Sequence, residues 1–308
     1  MSLFAAGISA VGQDKDRLVE SVERPNQEPS IHVDADLVLI PVTVVARDDR
    51  PFPGLSRDHF RLYEDRVEQV ITHFAKEDAP VSIAFLLDTS ASMADKLRKS
   101  REAISNLLNN ANPEDEFLLV EFNEQADMVL GICKDTGEVR RQLDMTHARG
   151  RTALLDAIYI SLREVRKAHN TRKALVIVSD GGDNSSRRTL SEIKDLVRES
   201  DVQIYALGVV GSRDVRFQSQ EERAGPALLR AVAKQSGGLF FEVHDVGELP
   251  EIAEKISDAL RTRYVLGYSP ANSRRDGKYH QVEVKLVRSR GIPKLQAFWR
   301  RGYVAPTE

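Results

Sequence analysis

Hydrophobic residues along the chain follow two different rhythms. Between Pro80 and Arg261, short continuous apolar runs alternate with stretches whose apolar residues recur every three or four positions. Ile83-Ala84-Phe85-Leu86-Leu87, Phe117-Leu118-Leu119-Val120 and Ala174 to Val178 carry no polar alternation, which predicts strands covered on both faces. Val202 to Val209 and Leu239 to Val243 predict further strands, and Met128-Val129-Leu130 an edge strand. Three sets of apolar residues each mark one face of a helix: Leu97, Ile104, Leu107, Leu108 and Ala111; Leu154, Leu155, Ile158, Leu162 and Val165; Leu190, Ile193, Leu196 and Val197. Two more helices are predicted around Leu228 to Ala233 and Ile252 to Leu260. The polar segment from Gly211 to Gly225 reads as an exposed loop. Strands alternating with helices in this way predict an α/β fold, a doubly wound and mostly parallel sheet with helices on both faces.

Outside that stretch the rhythm is that of β-structure. Leu37 to Val45, Leu62-Tyr63-Glu64 and Val67 to Phe74 predict strands before Pro80. Tyr264 to Tyr268, Val282 to Val287 and Leu295 to Tyr303 predict strands after Arg261. Each flank is only about 50 residues long, a size at which a separate core is marginal. The economical arrangement is one discontinuous antiparallel β-sandwich, residues 31–79 plus 263–305, into which the α/β unit of residues 80–262 is inserted. Residues 1–30 read as a linker, with Pro25 and Pro29, or as a signal remnant, since Leu3 to Ala10 is apolar and small but lacks a basic leader.

Composition narrows the function by exclusion. With 44 Lys+Arg against 47 Asp+Glu the net charge is −3, which lacks the basic excess that nucleic-acid binding requires. No apolar run approaches the roughly 20 residues of a membrane-spanning helix. The single Cys133 allows no intramolecular disulfide and no cysteine-rich metal site, and beside an apolar strand it reads as a small buried residue. The seven histidines form no HxxxH or HExxH pattern, and GxSxG, P-loop and GxGxxG motifs are missing.

One constellation carries chemistry. The first buried strand ends in Asp88-Thr89-Ser90-Ala91-Ser92, the third in Asp180-Gly181-Gly182-Asp183-Asn184, and Thr152 opens a helix after Arg149-Gly150-Arg151. Ligands of open parallel sheets collect at the carboxyl ends of the strands, where all three segments fall. Ser90, Ser92 and Thr152 could each serve only as helix caps, and Asp180-Gly181 as a turn. Taken together, the carboxylates and hydroxyls form a set of hard oxygen donors. Such a set suits Mg²⁺, with Mn²⁺ or Ca²⁺ as alternatives.

The order Asp88-x-Ser90-x-Ser92, then Thr152, then Asp180-Gly181 resembles the metal-ion-dependent adhesion site of von Willebrand factor A domains, over about residues 80–262. The flanks resemble the VWFA-related proteins of Acidobacteria through Leu55 to Phe60, Tyr264 to Pro270 and Arg301-Gly302-Tyr303. The resemblance implies that Ser90 and Ser92 ligate the metal directly and Thr152 in one state. Asp88 and Asp180 would act directly or through water. It further implies that a Glu or Asp of a partner protein completes the shell, that the chain is an exported binding module, and that it is not an enzyme. A Mg²⁺-dependent hydrolase or phosphoryl-transfer enzyme is the competing reading, as is an assembly protein with a stabilising metal. A dehalogenase-type phosphatase, however, would need a second Asp where Ser90 stands. Arg151 departs from the small residue usual before the threonine; it is either solvated or favours acidic partners. Asp183 is either an accessory water-mediated ligand or a solvated turn residue.

Overall fold

The computed structural model describes residues 37–210, 220–270 and 276–307; the expectations for residues 1–30 lie outside them. Strands β1 (Val38–Val45), β2 (Phe60–Glu64), β3 (Val67–Gln69) and β4 (His73–Glu77) come first. Then follow β5 (Val81–Asp88), α1 (Leu97–Asn109), β6 (Glu116–Phe122), β7 (Ala126–Cys133), α2 (Thr136–Met145), α3 (Leu154–Val165), β8 (Arg172–Ser179) and α4 (Leu190–Arg198). Next are β9 (Val202–Val209), α5 (Gln220–Ser236), β10 (Phe240–Val243) and α6 (Leu249–Arg261). Strands β11 (Arg263–Tyr268), β12 (Tyr279–Leu286), β13 (Gln296–Trp299) and β14 (Gly302–Val304) close the chain.

Six strands form the central sheet in the order β10-β9-β8-β5-β6-β7. All neighbours are parallel except the edge strand β7, which runs antiparallel to β6. Every residue of β5 and β9 is buried, which is why those segments read as unbroken apolar runs. Alternate residues serve opposite layers: Phe85 and Leu87 pack toward α1, α2 and α6, whereas Ala84 and Leu86 pack toward α3, α4 and α5.

The flanking strands form two four-stranded sheets, β13-β1-β11-β4 and β14-β12-β2-β3, each drawing on both ends of the chain. Ile40, Val42, Phe60, Leu62, Tyr264, Leu266, Val282 and Val284 share one core between them. Two predicted strands are each divided. Val67 to Phe74 becomes β3 in one sheet and β4 in the other, with Val70 exposed at the corner. Leu295 to Tyr303 likewise becomes β13 and β14 in different sheets. A chain that turns from one sheet of a sandwich into the other can stay apolar through the corner, so periodicity does not locate the bend. Helix α2, which the apolar pattern did not predict, buries only Val139 and Leu143 and is started by Asp135, whose side chain accepts from the Gly137 amide. Residues 220–225 of the expected polar loop belong to α5.

Both connections to the α/β layer are tied at one place. Arg172, buried at the start of β8, donates to the carbonyl of Ala79 at 2.9 Å and to that of Leu260. Asp115 accepts from the Val81 amide at 2.8 Å and pairs with Arg261, while Arg263 pairs with Glu77 across the β4–β11 ladder. The sheet therefore has a firm base at its amino-terminal edge, and its carboxyl edge points the other way.

Candidate metal centre

The connection from β5 leads to β6 on one side, while β8 lies on the other side of β5 and leads on to β9. The strand order thus reverses at the β5/β8 pair, the position where open α/β sheets bind ligands. The two strands run in register up to Leu87 opposite Val178, so the next residues, Asp88 and Ser179, meet at the sheet edge. Ser179 Oγ donates to Asp88 Oδ2 at 2.5 Å, and the Gly181 amide donates to Ser179 Oγ at 2.8 Å. Asp88 Oδ1 accepts from the Ser90 amide at 2.9 Å, and Ser90 Oγ lies 3.1 Å from Ser92 Oγ. The Ser90 side chain does not cap the short helical turn that follows it, and the two serine hydroxyls face each other at this edge.

The segment carrying Thr152 is pinned to the same place from two sides. The Arg149 amide donates to Thr89 O at 2.7 Å, and the Ala91 amide to Gly150 O at 3.1 Å. From the other side, Asn184 Oδ1 accepts from the Thr152 amide at 3.0 Å, while the amides of Asn184 and Ser185 both donate to Thr152 O. Thr152 is buried, held between the loops after β5 and β8. Arg151 is exposed, and its guanidinium donates to Asn184 O at 2.6 Å, so it braces the β8 loop. Asp183 is half-buried and differs from the expected solvated turn residue. Its Oδ1 accepts from the Leu155 amide at 3.3 Å and from Ser186 Oγ at 2.5 Å, which caps α3 from outside, and burial raises its pKa.

Two buried carboxyl groups face each other at this edge. Asp88 is fully buried, and burial together with the facing charge of Asp180 pushes its carboxyl up to about 7, against the hydrogen bonds from Ser179 and Ser90. One ammonium is already present: Lys96 Nζ lies 3.3 Å from Asp180 Oδ2 and 3.1 Å from the carbonyl of Val209. Two buried carboxylates with adjoining hydroxyls and no sulfur or imidazole form a donor set that fits a hard divalent ion. The backbone is also tight here. Gly181 has φ +82°, and a Cβ on it would stand 2.5 Å from the carbonyl carbon of Gly225 in α5, so only glycine lets α5 seat against this loop.

The model of the von Willebrand factor type A domain family matches residues 82–255, more than half of the chain. The chain belongs to that family. Among its relatives are an uncharacterized protein of Borreliella burgdorferi, 27% identical over 189 residues (54% of this chain, 55% of that protein), and human inter-alpha-trypsin inhibitor heavy chain H4, 24% identical over 224 residues (66% and 23%). The chain thus spans about half the length of the first relative and about a quarter of the second. Two solved structures share the fold. One is a von Willebrand factor type A protein from Catenulispora acidiphila, with TM-score 0.51 and 13% identity over 89% of this chain and 74% of that one. The other is proximal thread matrix protein 1 from the mussel byssus, described with a zinc-occupied metal-ion-dependent adhesion motif, with TM-score 0.52 and 18% identity over 64% and 50%.

Three residues of this von Willebrand factor A domain that shape the site had not been singled out from the sequence: Ser179, Lys96 and Asn184. Ser179 is the last residue of β8 and had a signal of its own, since a polar residue closing an apolar run at a sheet edge faces the same crevice as the Asp after it. Lys96 and Asn184 had none. Each reaches the site through a contact distant in sequence, Lys96 to Asp180 and Asn184 to Thr152.

Proposed function

We propose that Asp88, Ser90, Ser92, Thr152 and Asp180 hold a divalent cation, Mg²⁺ in the first instance. A Glu or Asp side chain of a partner protein would complete its coordination. The observation that carries this reading is the burial of Asp88 beside Asp180 at the carboxyl edge of β5 and β8, with paired serine hydroxyls in front of them. If the hydroxyls supply part of the shell and few carboxylates touch the metal, the ion keeps positive charge and attracts an anionic ligand. The zinc-occupied motif of the mussel protein supports a cation here. The chain then acts by binding, without a nucleophile or general base. Residues 31–79 with 263–305 would serve as the frame that presents the α/β unit of residues 80–262. No helix among the described residues is long and apolar enough to cross a membrane, and we place the module outside the cytoplasm, where an adhesion partner is met.

The test combines two measurements on the full chain. Isothermal titration with Mg²⁺ is expected to show one site in the native protein and a loss in Asp88→Asn, which keeps the side-chain shape and removes the charge. Capture of partners from the native envelope fraction is expected with Mg²⁺ and not with EDTA or Asp88→Asn. Equal capture in all three conditions would overturn the binding mechanism.

A further inference from the structure

The flanking motifs Tyr264 to Pro270 and Arg301-Gly302-Tyr303 play no part in the cation cluster, yet they converge on one buried acid. Tyr268 and Tyr303 both donate to Glu64 Oε2, at 2.5 and 3.0 Å. Glu64 ends β2 and is only 5% exposed. Its other oxygen, Oε1, lies 3.8 Å from His280 Nδ1. Glu64 thus gives Oε2 to the two tyrosine hydroxyls and turns Oε1 toward the imidazole.

His280 Nδ1 is itself 2.8 Å from Asp65 Oδ2. Asp65 is oriented by its own backbone: it lies in a turn with φ +46°, donates its amide to the Gln281 carbonyl, and accepts the Gln281 amide on Oδ1 at 2.9 Å. One potential ligand atom each from Glu64, Asp65 and His280 therefore lies within 4.8 Å of the other two. The far ring nitrogen, Nε2, is 3.3 Å from Asp276 Oδ1. A carboxylate on the distal nitrogen is the usual outer partner of a metal-bound imidazole, since it sets the tautomer and raises the basicity of the ligating nitrogen. The ring packs against that of Tyr303, with centroids 5.7 Å apart and the planes inclined by 28°.

We propose that Glu64, Asp65 and His280 form a second divalent-cation site, in the β-sandwich and separate from the cluster at the β5/β8 edge. One imidazole with two carboxylates suits a borderline transition ion of the Zn²⁺ class, in contrast to the all-oxygen set of the first cluster. The ion links the turn after β2 to β12 and, through Glu64 and Tyr303, to β14. It therefore fastens the closing strands of the chain to strands near its beginning.

Zn²⁺ titration of the full chain carrying Asp88→Asn tests this with the first cluster disabled. One Zn²⁺ per chain is expected, with a rise in Tm on addition. Adding His280→Gln is expected to weaken binding at least about 30-fold and abolish the Tm rise. Adding Asp65→Asn instead, which removes one ligand charge at a half-exposed position, should weaken binding at least about tenfold, since losing a ligand costs no less than losing an outer partner. Absence of Zn²⁺ binding in the Asp88→Asn protein would overturn the proposal and leave only an imidazolium–carboxylate network. Binding that survives both second substitutions would overturn it equally. Because the first cluster is disabled throughout, neither result bears on the Mg²⁺ reading.

Discussion

Lys96 sets the electrostatic terms of the cation cluster. Its ammonium and the Asp180 carboxylate are both largely buried, at 16% and 8% side-chain exposure, so their attraction is screened much less than that of a surface pair. A divalent ion arriving at Asp180 meets a carboxylate already paired with an ammonium. Lys96→Met, which keeps the apolar stem and removes the charge, is expected to tighten Mg²⁺ binding roughly tenfold, or about 1.4 kcal/mol. Titration calorimetry at low salt measures this, and unchanged or weaker binding would show that Lys96 acts only through its bond to Val209. The donors Asp88, Ser90, Ser92, Thr152 and Asp180 were legible from sequence because each sits at the end of an apolar run or the start of an apolar helix. Lys96 was not, because a lysine before a helix looks like any solvated lysine.

At the scale of elements, the loop after β8 does more than carry Asp180. Helix α3 has Ala153 at its N-cap, with no capping side chain, and its missing cap comes from Asp183, which accepts from the Leu155 amide 28 residues earlier in the chain. Asp183→Ala is therefore expected to cost about 1 kcal/mol of stability, the usual value of an N-cap, while Mg²⁺ binding persists. Urea denaturation alongside titration separates the two roles, since an accessory ligand would lose affinity with little change in stability. Such a cap cannot be read from local sequence, which shows Asp183 only as part of a turn. The buried strands could be read, because covering both faces leaves no room for polar alternation, as in β5 and β9. The divided strands β3/β4 and β13/β14 could not, because both halves are apolar toward the same core.

For the molecule as a whole, the amino-terminal end of the sheet carries an acid-sensitive fastening. Glu116 at the start of β6 is buried, which alone would raise its pKa. Hydrogen bonds from Ser82 Oγ, the His169 ring and amide, and the Asn170 amide more than offset this and hold it at about 2, below the ordinary 4.5. A carboxyl whose pKa is lower in the folded state stabilises the fold above its unfolded pKa. That contribution is complete above about pH 4.5 and is lost as pH falls toward 2. Glu116→Gln is expected to be less stable than the native chain at neutral pH, with the difference shrinking between pH 4.5 and 2. Urea midpoints across that range test this, and a difference independent of pH would refute it.

The sequence by itself determined the α/β alternation, the strand ends that carry oxygen donors and the β character of both flanks. Each of these is written in runs of neighbouring residues whose burial and period are local properties. Only the tertiary structure decided which sheet each half of a divided strand joins, that Lys96 neutralises Asp180, and that Glu64 and Asp65 meet His280, with Asp65 and His280 215 residues apart. Those arrangements depend on which surfaces pack together to bury the two layers and the sandwich core. That choice is made by the whole chain at once.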